Sequence, residues 1–544
     1  MAVITVNKFS GVSPMTPPRY LSNEAAQTAL NCPVWKGSLQ PIKGALELTP
    51  SPLTKSGNIK SIYRFGQSET NQLNHWFHWT TDVDVVQGFI AGDTTERTYY
   101  TGDGNPKVTN ATMALTGGGT DYPIASYDIG VPKPTGTFTT AKTGTPNANT
   151  TSETRVYTFT YVNSFGEEST PYSETDMSPS TEDVFPGESV VVTMPTGTIN
   201  NVNVTKKRIY RSALGTANTS YFFVAEVSLA TATYTDSLDG DDLNEELPSL
   251  TWVQPPTTLK GLVGMPNGVM AGFSGNDVYF SEPFRPFAWP TQYVQTVGYP
   301  VVGLGVIDTT VVVLTKGRPY FIQGSHPDSS VMVEADINQA CISKRSIVSM
   351  NNNVFFASPD GIVALSPGGS SIVTESLFDK ETWQAQSPDD LVACMYESQY
   401  VGFFDTTSGN GGFVYDMKQK TWNFHNVYVT GAYNDLKNDA LYIIKSNELY
   451  KWDSGTDLSY TWKSKKYTFP EPKAFSCYRV EAEAYPVTVK IYKDSSAIVN
   501  LSVTDNSLRR LPPGLGTTWE FQLEGDKEVY NVQLAQTPQE LNQG

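Results

Sequence analysis

Four histidines are the first residues to test for chemistry, because imidazole is the side chain that titrates near neutral pH and the commonest metal ligand. His75 and His78, in "NHWFHW", have the H-x-x-H spacing of a metal pair. The flanking residues read as a strand, and on a strand positions i and i+3 point to opposite faces, which spoils joint ligation. His326 lies in the turn-like "GSHPD", and His425 stands beside Trp422 and Phe424; neither has a Ser or Cys partner in a recognisable nucleophile elbow. His75 and His78 are expected to be structural, and no catalytic triad is expected at His326 or His425.

Oxygen ligands give no sharper signal. The run "DSLDGDDLNEE", Asp236 to Glu246, is dense in the hard ligands calcium prefers, but its spacing departs from an EF-hand loop and it is expected to be a solvated linker. The cluster "LTGGGTDYP", Leu115 to Pro123, lacks the Lys-Ser/Thr of a phosphate-cradling loop and is followed by no helix pattern, so it reads as a flexible loop. Carboxylate pairs for glycoside hydrolysis are defined by spatial separation, which spacing cannot reveal. The S-x-D-x-G-x-T-W boxes of propeller sialidases are missing, and "SPDGIVAL", Ser358 to Leu365, is only a fragment of one. No catalytic, cofactor-binding or metal residue, no cofactor and no enzymatic activity are therefore expected.

The elements that must position these residues are strands. Thr, Val, Tyr and Phe are abundant, and 43 Gly and 35 Pro punctuate the chain, which favours strands and tight turns over helices. The fold class is all-β. The clearest helical candidate is "SNEAAQTALN" at 22 to 31, with Ser22 as a cap. It sits in a proline-rich arm, residues 1–57, which has too few apolar residues to fold alone and is expected to order on a neighbour.

At 544 residues the chain exceeds one hydrophobic core, since roughly 100 to 200 residues make a domain. Strands follow one another over 58–129. They resume over 256–469 at a period of about 45 residues, beginning near Lys260, Val301, Ser346, Leu391 and Leu436, and four strands per such unit is the arithmetic of a β-propeller blade. Between them, "GVPKPTGTFTT" and "LPSLTWVQPP" bracket an insertion over 130–255. Its strands "RVYTFTYVN", "SVVVTMP", "KKRIYRS", "YFFVAEVS" and "ATYTDSL" are the pattern of an immunoglobulin or fibronectin type III-like sandwich without a disulfide. In the first, Tyr157, Phe159 and Tyr161 share one face of a half-buried strand. Residues 470–544 alternate again and are expected to form a C-terminal β module or to return and close the ring.

Lys plus Arg number 38 against 55 Asp plus Glu, a net charge of -17, which excludes gripping nucleic acid with the surface as a whole. The four cysteines, Cys32, Cys341, Cys394 and Cys477, have no C-x-x-C spacing and read as buried thiols. The first residues lack a signal-peptide pattern, and no run of about eighteen apolar residues occurs, so a soluble protein made in a cytosol is expected.

One set of segments resembles a known family. "FSGVSPMTPPRYLSNEAAQTALNCPVWKGSLQPIKG" (Phe9 to Gly44), "RVYTFTYVNSFGEESTPYS" with "KKRIYRS", "DVYFSEPFRPFAWP" (Asp277 to Pro290), "LTKGRPYFIQGSHP" (Leu314 to Pro327), "ACISKRSIVSM" (Ala340 to Met350) and "VFFASPDGIVAL" (Val354 to Leu365) resemble, in that order, tail nozzle proteins of short-tailed bacteriophages. The resemblance implies a virion structural protein: a homohexameric ring beneath the portal and adaptor, built on a β-propeller. That ring continues the DNA ejection channel and helps close it before ejection. It also implies an adaptor partner above, contact with tail fibres or a tail needle, DNA passing without sequence-specific binding, and assembly in the host cytoplasm. The alternative reading of the same residues is a monomeric propeller plus sandwich that binds or hydrolyses cell-surface glycans, to which the abundant Trp and Tyr would lend stacking surfaces.

Overall fold

In the computed structural model, residues 3–34, 36–66, 71, 73–90, 92–147, 149–173, 180–213, 220–243, 245–404 and 411–542 are described. They are almost entirely antiparallel sheet. Among them, seven small sheets stand in a ring, each starting with an inner strand: Ser61–Arg64, Asp84–Gln87, Lys260–Gly264, Val301–Ile307, Val348–Met350, Val392–Tyr396 and Gly431–Asp435. We number the blades 1 to 7 in that order. From blade 2 round to blade 7, neighbouring inner strands pack on one another, and that of blade 7 packs against that of blade 1. Blades 1 and 2 are joined by the Ser61 hydroxyl, which donates to Thr81 O at 2.9 Å and accepts from Val83 N at 2.9 Å. The chain is a β-propeller.

The blade starts read from periodicity at Lys260, Val301, Ser346 and Leu391 fall on or within two residues of observed strand starts; the fifth, Leu436, is late because blade 7 begins at Gly431. Blade 7 supplies only three strands of its own. Its fourth, Leu46–Glu47, comes from the N-terminal segment and pairs with Glu448–Lys451. The ring is thus closed by the beginning of the chain, not by the C-terminal strands.

The expected helix at 22 to 31 is a strand, Ala26–Leu30. It runs antiparallel to Tyr460–Ser464 and bridges Leu30 to Phe424 at the edge of blade 6. Ala26 and Ala29 are buried there. Their small side chains suit close approach of two sheets, and that burial outweighs a helix propensity of tenths of a kcal/mol per residue. The arm does not await another subunit: Val3–Val6 pairs with Val529–Ala535, and Ile4, Val6, Phe9 and Val12 lie in the core.

The C-terminal module begins at Tyr460, earlier than residue 470, and is a sandwich of two sheets. One holds Val3–Val6, Val529–Ala535, Cys477–Ala482 and Arg509–Arg510; the other continues blade 6 through Ala26–Leu30 into Tyr460–Ser464, Gly516–Gly525, Val487–Lys493 and Ser496–Val503. Trp462, Trp519 and Phe521 fill the space between them.

The insertion between blades 2 and 3 is a second sandwich. Thr139–Gly144, Glu188–Thr193 and Thr233–Asp236 face Thr181–Val184, Glu153–Asn163, Val204–Ser212 and Tyr221–Ser228. Tyr157, Phe159 and Tyr161 share its core as alternation requires. The strand is not half-buried, however. Every residue from Tyr157 to Asn163 is buried, because the chain turns at Gly166 and lays Glu168 to Tyr172 back along it, with Ser169 N on Tyr161 O and Tyr172 N on Phe159 O at 2.9 and 2.8 Å. No helix among the described residues is long and apolar enough to cross a membrane.

Candidate functional site

The loops that enter the inner strands converge on one face of the propeller, and two residues of a single loop span its centre. Lys344 and Arg345 precede the inner strand of blade 5, in a short turn fixed by the Ser346 hydroxyl, which donates to Ser343 O at 2.7 Å. From there Lys344 reaches blade 2, where its ammonium stands 2.7 Å from Asp84 and 3.1 Å from Asp82. Burial alone would lower the Lys344 pKa, but the two carboxylates outweigh it and hold the value above that of a free lysine. Arg345 reaches the other way. Its Nη2 donates to the carbonyls of Thr430, at the entry to blade 7, and Lys60, at the entry to blade 1. Burial pulls the Arg345 pKa down, though a guanidinium stays charged.

Two small cavities adjoin this plug and share Lys60, Arg345 and Val392. One, of about 190 Å3, is lined by Lys60, Asp82, Asp84, Lys344 and Arg345 with the apolar starts of blades 5 to 7. The other, of about 220 Å3, is lined by Asn58, Lys60, Arg345, Asp390, Tyr428 and Thr430 with Val392 and Val429. A third cleft, about 250 Å3, opens between blades 1 and 7 at the far ends of their inner strands, beside the buried Arg64–Asp435 pair at 2.8 Å. Arg64 and Asp435 are consumed by each other, so that cleft offers less free charge. Nothing in sequence spacing singled out Lys344 or Arg345; both lie inside "ACISKRSIVSM", where the only available signal was two adjacent cations in an apolar stretch.

The residues that spacing did single out are not brought together. His78 is buried on the strand Trp76–Trp79; its Nδ1 donates to Trp76 O at 2.9 Å, and its Nε2 accepts from Thr54 N and Lys55 N at 3.1 Å each. Burial lowers its pKa, which keeps the ring neutral. His75 precedes that strand in the left-handed region, with φ 54°, and packs edge-on against Tyr122. His326 caps a short turn by accepting from Asp328 N at 3.2 Å. His425 is buried between Phe403 and Trp452, and its pKa falls to about 3 by burial. Among the described residues, no group of three or more His, Cys, Asp or Glu side chains is placed to hold a metal ion.

The acidic run is only partly a solvated linker. Asp236 is fully buried on Arg211 at 2.6 Å, whereas Asp239, Asp241 and Asp242 are exposed around a 3-10 turn. The glycine cluster follows a short helix, Ala111–Leu115, that propensity did not mark, and Gly117, Gly118 and Gly119 all have positive φ. The thiols of Cys32, Cys341 and Cys477 are buried; burial pushes those of Cys341 and Cys394 up to about 12, so they are poor nucleophiles.

No family model matches the chain, and no curated protein sequence matches it. Among solved structures it is similar to BamB from Moraxella catarrhalis, at 14% identity and TM-score 0.24 over 54% of this chain and 91% of that one. It is also similar to the N-terminal domain of Nup159, at 12% identity and TM-score 0.23 over 62% and 86%. PorZ, a surface component of the type-IX secretion system of Porphyromonas gingivalis, matches at 11% identity and TM-score 0.24 over 89% and 82%.

Proposed function

We propose that this chain is a structural protein of a short-tailed bacteriophage virion, one subunit of a tail nozzle ring that sits below portal and adaptor and continues the DNA ejection channel. The observation that carries the reading is order: nozzle-like segments succeed one another along a single chain. Two of them, "RVYTFTYVNSFGEESTPYS" and "KKRIYRS", are sandwich strands, and the next four fall in blades 3, 4 and 5 and the loop before blade 5. Lys344 and Arg345 cross the centre of the propeller, so in this reading DNA runs between copies, along the axis of the ring, and not through one subunit. A net charge of -17 on each of six copies repels the duplex and favours sliding over gripping. The partners are an adaptor above, tail fibres or a needle below, and five further copies of the chain.

Light scattering and negative-stain images of the purified chain, alone and mixed with the portal and adaptor of its own particle, test the reading. Rings of about six copies with a central hole are expected in at least one sample. A chain that stays monomeric with both partners present overturns it.

A further inference from the structure

We propose that the axial face carries a binding site for one carboxylated sugar unit, centred on Arg345. The site is the cavity of about 220 Å3 beside the plug. Arg345 spends only Nη2 on the protein, on two backbone carbonyls, and among the described residues forms no ion pair. Of the acidic groups around it, Asp82 and Asp84 both face Lys344, and Asp390 shares the cavity with Arg345 without forming an ion pair to it. The guanidinium therefore keeps an edge of N–H donors for a guest, and two parallel N–H groups match the two oxygens of a carboxylate.

The rest of the lining defines what else that guest carries. Lys60 and Arg345 against Asp390 leave one net positive charge, which suits a guest with one negative charge. Asp390 repels a bare phosphate dianion but accepts from hydroxyl groups. Thr430 donates its hydroxyl to Ile59 O at 2.8 Å, so its lone pairs can accept from a guest hydroxyl, and Asn58 supplies an amide with both functions. Tyr428 is 38% exposed at the rim and presents ring surface to the C–H face of a pyranose. The cavity falls below the roughly 300–1,000 Å3 of sites for drug-sized ligands, which limits the guest to a single small unit. A guest with one planar carboxylate, several hydroxyls and one apolar C–H face is the chemistry of a uronic acid residue in an acidic polysaccharide. The site is complete within one chain and does not depend on ring formation.

Titration calorimetry of the full chain with sodium glucuronate, glucose, sodium acetate and inorganic phosphate tests the proposal. Glucuronate is expected to bind saturably in the millimolar range, with the other three at least about tenfold weaker, because each keeps only part of the contacts. Arg345→Lys keeps the charge but loses the fork, and is expected to weaken glucuronate about tenfold. Tyr428→Ala, checked for an unchanged melting temperature, is expected to weaken binding about fivefold through lost ring contact. Absence of saturable glucuronate binding, phosphate bound as tightly as glucuronate, or wild-type affinity in both variants overturns the site.

Discussion

At the scale of single residues, the interior of the inserted sandwich is held by charge as well as by oil. Arg211 and Asp236 are both fully buried at 2.6 Å, and the Tyr157 hydroxyl donates to the same carboxylate oxygen at 2.7 Å. Breaking such a pair from one side leaves an unpaired buried charge, so Arg211→Met is expected to cost about 3–5 kcal/mol in urea denaturation. The double variant Arg211→Met, Asp236→Leu is expected to recover most of that; equal loss in single and double variants would contradict this account. Glu167 makes a prediction in pH. It is buried where the sandwich meets blade 2, takes an Asn163 amide bond at 2.8 Å and lies 3.5 Å from Arg97, yet burial raises its pKa to about 7. A pKa raised above the unfolded value gives stability that is fully present at low pH and lost as pH rises toward about 7. At about 1.4 kcal/mol per unit, the loss approaches about 3 kcal/mol. Glu167→Gln is therefore expected to match wild type near pH 4.5 and to gain stability over it up to about pH 7, read from melting curves across that range. Sequence marked Asp236 only as the first of an acidic run and Glu167 only as a residue after a turn. Their partners stand on other strands, and spacing along a chain carries no register between strands.

At the scale of elements, the N-terminal 47 residues are a clip. Three short strands from that segment join both sheets of the C-terminal sandwich, the edge of blade 6 and the last blade. Gly11 lies at the tightest point: a Cβ there would stand 2.3 Å from Trp422 O. Gly11→Ala is expected to destabilise by about 1–3 kcal/mol through overpacking, seen as a lower melting temperature. Removal of residues through Glu47 unpairs blade 7 and exposes the Trp462 region, and rapid proteolysis of the C-terminal sandwich is the expected result. A truncated chain as resistant as wild type would show that the clip is dispensable. Alternation in the sandwich was legible because Tyr157, Phe159 and Tyr161 share its core, and the 45-residue period because each blade repeats short strands and turns even where both strand faces are buried, as in Thr310–Thr315. The stretch 22 to 31 was misread because its alanines are good helix formers in isolation, and only the two flanking sheets make an extended alanine strand the better choice.

At the scale of the whole molecule, the net charge of -17 bears on the proposed assembly. In the ring proposed above, six copies at -17 would place about a hundred negative charges together, and contacts between subunits would have to overcome that repulsion. Salt shortens the screening length from about 10 Å at 0.1 M to about 3 Å at 1 M, so the ring fraction is expected to rise with salt in sedimentation or light scattering. Rings that fall apart as salt rises would instead point to ion pairs as the joint.

What the sequence by itself determined was the class of this protein and its rhythm: all-β, acidic, with a sandwich set between two runs of propeller strands. Those properties are local, written in alternation, turn residues and composition. Only the tertiary structure decided how many blades close the ring, that the beginning of the chain completes blade 7, and that Lys344 and Arg345 meet blades 1, 2 and 7 across the centre. Those contacts join residues up to several hundred positions apart, and closure of that kind is set by the geometry of twisted sheets packing around an axis, which no short window of sequence contains.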